Sequence, residues 1–129
     1  MHIEFLVEEP STEAALQNLA PKILGEPDTF AIHPHQGRTD LLAKLPNRLK
    51  GYQTWLPQDW RIVVLVDEDR RDCRAQKRVL EQKALKAGLV TKTAAAAGEF
   101  QVVNRLAVEE LEAWFFGDPR PVSRGFHLR

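Results

Sequence analysis

The chain has 129 residues, 43% hydrophobic and 28% charged, the balance of one soluble globular domain able to bury a core without disulfide staples. Lys+Arg and Asp+Glu number 18 each, so bulk charge points to neither nucleic acid nor membrane, and only local clusters can carry such an argument. Cys73 is the single cysteine, which excludes an internal disulfide and makes a reducing cytoplasm the expected home; no apolar run approaches the ~20 residues of a membrane span, and no signal-peptide pattern opens the chain.

Residues 2–7, HIEFLV, are a short run of strand formers. The run stops on Glu8-Glu9-Pro10. Ser11 or Thr12 then offers an N-cap to a helix in which Leu16, Leu19, Ala20 and Ile23 recur at helical spacing. Pro21 is expected to kink that helix or end it early. Residues 29–35 predict a second strand, with Phe30 and Ile32 alternating against polar neighbours. Residues 39–52 are helical in period and interrupted by Pro46. The clearest element is 60–69, where five consecutive apolar residues, Ile62 to Val66, suit a strand buried on both faces of a parallel sheet. A helix follows over 70–88, stopped by Gly88. Residues 91–99 read as a connection, although four alanines would equally extend a helix. Residues 100–107 are strand-like, and 108–118 predict a last helix ending near Gly117. The alternation of strand and helix predicts an α/β fold of three layers with a mainly parallel four-stranded sheet and right-handed crossovers. Residues 1–118 are expected to form that domain and 119–129 an irregular tail.

In such sheets functional groups gather beyond the carboxyl ends of the strands. Two of those ends carry carboxylates: Glu8 and Glu9 after the first strand, and Asp67, Glu68 and Asp69 after the third. Residues two apart in an extended segment point the same way, so Asp67 and Asp69 can face one point. If the first and third strands are neighbours, Glu8 joins them. Carboxylates that converge repel one another unless a cation neutralises them, and an all-oxygen set favours Mg²⁺ or Mn²⁺ over zinc. The competing explanation is that strand ends are acidic simply because they are wet. In the last predicted helix, Val108, Leu111, Phe115 and Phe116 form an apolar arc with Glu112 inside it. A carboxylate there needs a partner or a metal, so Glu112 is either a further ligand or one half of a salt bridge at the core's edge.

The stretch FLVEEPSTEAAL, followed at a distance by IVVLVDEDRRDC, resembles the Toprim domain shared by topoisomerases, primases, recombination mediators and OLD-type nucleases. That resemblance implies a Toprim-like Rossmannoid fold in which Glu8 is the general acid or base and Asp67 and Asp69 hold Mg²⁺. Glu9 stands where the family usually has glycine. More closely, VEEPSTEAAL, IHPHQGRTDLLAKLP, WRIVVLVDEDRRDC and VNRLAVEELEAWFFGD resemble the family named domain of unknown function 4276. There Gly37-Arg38 replaces a frequent Gly-Lys and keeps its charge. Members run on past the E-A-W helix, so a chain that stops at Arg129 is expected to be a truncated or minimal version. Toprim kinship implies metal-dependent breakage or joining of phosphodiester bonds. Tyr52, the single tyrosine, lies in the proline-interrupted helix with nothing to mark it as a nucleophile, so water is the expected attacker and a nuclease the expected activity. The chain has no phosphate-binding G-x-x-x-x-G-K-[ST] loop, so an ATPase of the kind that accompanies OLD-type nucleases would be a separate subunit.

Seven basic residues follow the D-x-D motif: Arg70, Arg71, Arg74, Lys77, Arg78, Lys83 and Lys86. They suit a phosphate backbone, DNA in preference to RNA, as well as they suit a solvated helix face. Arg38, with Arg70, Arg71 and Arg74, is the expected phosphate clamp. His33 and His35, two apart, can share a face, but a zinc pair needs further His or Cys ligands, so loop or supporting roles are expected. Cys73 is expected to face the core of its helix. Two other readings stand beside the nuclease. One is a non-catalytic Toprim-like module, alone or as a homodimer, serving a nucleoprotein or defence complex. The other is a receiver-like phosphotransfer domain, for which the Lys/Thr pair is not evident.

Overall fold

Ile3, Phe5, Leu6 and Val7 are all buried, so the first strand needs cover on both faces. The computed structural model, which describes residues 1–24, 28–67, 73–95 and 98–107, supplies it. Strands β1 (His2–Val7), β2 (Thr29–Pro34), β3 (Trp60–Asp67) and β4 (Val102–Ala107) pair in parallel in the order β2-β1-β3-β4. Helices α1 (Pro10–Ile23), α2 (Arg38–Trp55) and α3 (Cys73–Lys86) and the short α4 (Lys92–Ala95) connect them. Ile3, Phe5, Val7, Val63 and Leu65 pack under Leu16, Leu19 and Ala20 of α1. On the other face, Leu6, Ile62, Val64 and Val66 meet Leu41, Leu45 and Leu49 of α2 and Leu80 and Ala84 of α3. The predicted three-layer α/β fold is therefore present. From β1 the chain steps one way along the sheet with α1 on one face, then the other way with α2 and α3 on the opposite face. Reversing direction and face together keeps every crossover of one hand.

Several boundaries differ from the sequence-based expectation, each for a physical reason. Helix α1 starts at Pro10 with Glu9 as N-cap, rather than at Ser11 or Thr12. Proline is well placed at the first helical position, where its missing N–H is not needed and its φ is already helical. Pro21 sits in the last turn and does not shorten the helix, because Leu24 N–H still reaches the Ala20 carbonyl at 2.8 Å. Pro46 does not interrupt α2 either. The buried stripe Leu41, Leu45, Leu49 and Tyr52 runs past it, and tertiary packing of that stripe outweighs the lost backbone bond. Gly88 ends the turn after α3 with φ 84°, and the next amide, Leu89 N–H, reaches back to the Ala84 carbonyl at 3.1 Å. Ala94 and Ala95 belong to the single turn of α4, and Ala96 and Ala97 lie outside the described residues. Strand β3 closes at Asp67; the helix predicted over 108–118 and the tail lie outside the described residues. Among the described residues no helix is long and apolar enough to cross a membrane.

Candidate functional site

The order β2-β1-β3-β4 places a topological switch point between β1 and β3, where successive connections leave in opposite directions. Open parallel sheets form their binding crevices at such a point, beyond the carboxyl ends of the strands. Val7, the last residue of β1, pairs with Leu65, and β3 continues two residues further to Asp67. Glu8 therefore leaves one strand and Asp67 closes its neighbour, ~4.8 Å away across the sheet, at the same edge. The condition that the sequence left open, adjacency of the first and third strands, is met.

Glu8 is only 7% exposed. The turn between β2 and α2 fixes it from the side. His35 Nδ1–H donates to the Val7 carbonyl at 2.8 Å, and Gly37 N–H donates to the Glu8 carbonyl at 2.8 Å. Because a carbonyl only accepts, the proton of a neutral His35 sits on Nδ1, which leaves Nε2 as an acceptor. Nε2 is buried with no hydrogen-bond partner among the described residues. Gly37 holds φ 97° and ψ 178°, a region that side-chain-bearing residues avoid, and from it the chain enters α2 at Arg38. Arg38 Nε then lies 3.9 Å from Glu8 Oε1, a loose ion pair at the helix N-terminus. Asp40 in the same first turn accepts the Gln36 N–H at 2.8 Å and pairs with Lys44 at 3.0 Å; the backbone bond first, then Lys44, hold its carboxyl below the usual range.

Of the residues predicted from sequence, Glu8, Arg38 and the backbone of Asp67 meet at this edge. Asp69, Arg70, Arg71 and Glu112 lie outside the described residues. Arg74 is exposed near the start of α3. Lys77 leaves the basic face expected of it. Its ammonium donates to the Asn104 carbonyl beside Glu81, and burial pushes its pKa down. Among the described residues no group of three or more His, Cys, Asp and Glu side chains gathers as for a metal. The Glu8 carboxylate is the described donor at this edge, an oxygen ligand of the kind that suits a hard cation such as Mg²⁺ or Mn²⁺.

A second polar cluster was not anticipated. Glu4, 6% exposed in the middle of β1, accepts from His2 Nε2 at 2.6 Å, His33 Nε2 at 2.9 Å and the Tyr52 hydroxyl at 3.0 Å. Burial pushes its carboxyl up, but the three donors and the charge of His33 together bring it below the ordinary value. The same burial, with the Glu4 charge, pushes the Tyr52 phenol up. His33 thus serves Glu4 while His35 serves β1, which divides the two histidines between different partners. The available signal was polar residues at alternate positions, His2 and Glu4, in a strand otherwise apolar.

The family profile described as Domain of unknown function (DUF4276) matches residues 7–126. No curated protein and no solved structure matches the chain significantly.

Proposed function

The chain belongs to the family described as Domain of unknown function (DUF4276), and for this member we propose Mg²⁺- or Mn²⁺-dependent hydrolysis of nucleic-acid phosphodiester bonds, of the Toprim type, with DNA as substrate and a separate ATPase as partner. One observation carries the reading: Glu8 is a buried carboxylate at the switch point, on the strand beside the one that closes with Asp67. Asp67, Asp69 and Glu8 are the residues that would hold the cation, with Glu112 as a further ligand. A divalent cation bound there supplies neutralisation of phosphate oxygens and a more acidic water.

The chain's own groups divide the remaining work. Glu8 takes or returns the proton at its carboxylate, in an enclosed setting where a proton acceptor is effective. Arg38 reaches the same carboxylate from the α2 N-terminus and is placed to orient a phosphate oxygen, with Arg70, Arg71 and Arg74 extending the contact along the backbone. Tyr52 does not serve as nucleophile. Its hydroxyl donates to Glu4, and both burial and that carboxylate keep it protonated. Water is therefore the attacking group, and no covalent protein–nucleic acid adduct forms.

The test is nicking of supercoiled plasmid in Mn²⁺ or Mg²⁺ by wild type, Glu8→Gln and Asp67→Ala. Loss of a general acid or base lowers the rate by roughly 10²–10⁴-fold, so both variants are expected to leave the plasmid intact. Equal residual cleavage by all three proteins defeats the proposal and leaves a non-catalytic partner module.

A further inference from the structure

We propose that the groove between α2 and α3 is the track of a single nucleic-acid strand running into the carboxyl-edge site. This rests on the phosphodiester reading above and adds to it the strandedness of the substrate. The groove has two hollows that share Val79 in their lining. The upper, of about 80 Å³, lies between Arg38, Val66 and Gln76, directly beneath the edge that carries Asp67. The lower, of about 200 Å³, lies between Lys50 on α2 and Lys83 and Lys86 on α3. Val79 lines both hollows and is 42% exposed, an apolar waist open to solvent.

The charge of this groove is one-sided. Lys50 on α2 faces Lys83 and Lys86 on α3 across the lower hollow, Arg38 borders the upper one beside its partner Glu8, and among the described residues no acidic side chain lines either hollow. Each helix has one acid, and each acid is engaged elsewhere. Asp40 is held by Lys44 and the Gln36 amide. Glu81 is turned toward β4, accepting from Thr91 at 2.7 Å and Asn104 at 2.7 Å. A net-neutral chain thus presents three lysines around the lower hollow, with the apolar upper hollow lying between them and the proposed catalytic edge.

Dimensions select the occupant. From Gln76 to Lys86 the helix rises ~15 Å, room for a few nucleotides of extended backbone. Hollows of about 80 and 200 Å³ take a single phosphate, sugar or base at a time and not the width of a duplex. Phosphates meet the lysines on either wall, and the apolar waist at Val79 takes the face of a sugar or base.

Binding of a fluorescein-labelled thymidine 20-mer, followed by anisotropy in EDTA across a salt series, tests the proposal separately from any cleavage. Three lysines on a single strand give a slope of log K against log salt of about −2.1, and removing two reduces it by about 1.4. Lys83→Glu/Lys86→Glu is expected to weaken binding at least tenfold and to flatten the slope by that amount, with Lys50→Glu and Val79→Glu acting in the same direction. Lys22→Glu, at the exposed end of α1 on the opposite face, is expected to stay within twofold. An unlabelled duplex of the same length is expected to compete at least tenfold less well than the single strand. Thermal melts establish that each variant is folded. The proposal is overturned if wild type does not bind the strand, if the double variant binds like wild type, if Lys22→Glu weakens binding equally, or if the duplex competes as well. A protein that binds through this groove and never cuts in Mn²⁺ defeats the nuclease reading alone. One that cuts single strands equally well with Lys83 and Lys86 reversed defeats the groove alone.

Discussion

Glu8 owes its position to Gly37, whose amide holds the Glu8 carbonyl while its backbone turns the chain into α2. A Cβ at position 37 meets nothing within 4 Å, so the whole penalty of a substitution comes from φ 97°. Gly37→Ala is expected to cost about 1–3 kcal/mol, read as a lower urea midpoint at unchanged slope. Any variant that relaxes this φ also moves Arg38 away from Glu8. Glu4 supports a prediction in pH. Its folded-state pKa lies below that of the unfolded chain, so its charge stabilises the fold above the ordinary glutamate value of about 4.3 and loses that effect as pH falls through the depressed value. Urea titrations between pH 3 and 6 are expected to show this loss in wild type and a shallower one in Glu4→Gln. Tyr52→Phe removes one of the three donors and is expected to destabilise by about 1–2 kcal/mol at pH 7. At this scale the sequence was half legible. Two glutamates that stop an apolar strand stand out without a structure. The weight of Glu4 does not, because its partners His33 and Tyr52 lie 29 and 48 positions away, and only folding brings them together.

Elements with a continuous apolar run or a clean helical stripe were readable from residues 2–7 and 60–67 onward, because burial on both faces of a parallel sheet leaves a compositional mark. Proline misled at 46, since local rules count the lost hydrogen bond but not the packing that compensates it, while at 21 the helix runs two residues further, to Ile23. Pro46 offers a check. Pro46→Ala restores an N–H to the interior of α2 and is expected to raise stability by roughly 1–3 kcal/mol, measured by thermal melting. Removing the stripe that carries the helix past the proline has the opposite sign: Leu49→Ala, at a fully buried position, is expected to cost about 2–5 kcal/mol. If the two effects prove equal and additive, the stripe is not what overrides the proline.

For the molecule as a whole, alternation of strand and helix announces the fold class, but strand order is a property of space. The sequence supports convergence of Glu8 with Asp67 only on condition that β1 and β3 touch, and the order β2-β1-β3-β4 meets that condition. Likewise a net charge of zero concealed a positive groove, because the compensating acids on α2 and α3 face elsewhere.

The central place of β1 also bears on how the protein is made. His2 pairs with Thr29 on one side and with Trp60 on the other. A ribosome adds roughly 5–20 residues per second, so β1 waits several seconds for its second neighbour, with one row of backbone groups unmatched. Until β3 arrives, Ile3, Phe5, Leu6 and Val7 form a sticky nascent segment, and ribosome-associated chaperones are expected to hold this chain until translation has passed the third strand.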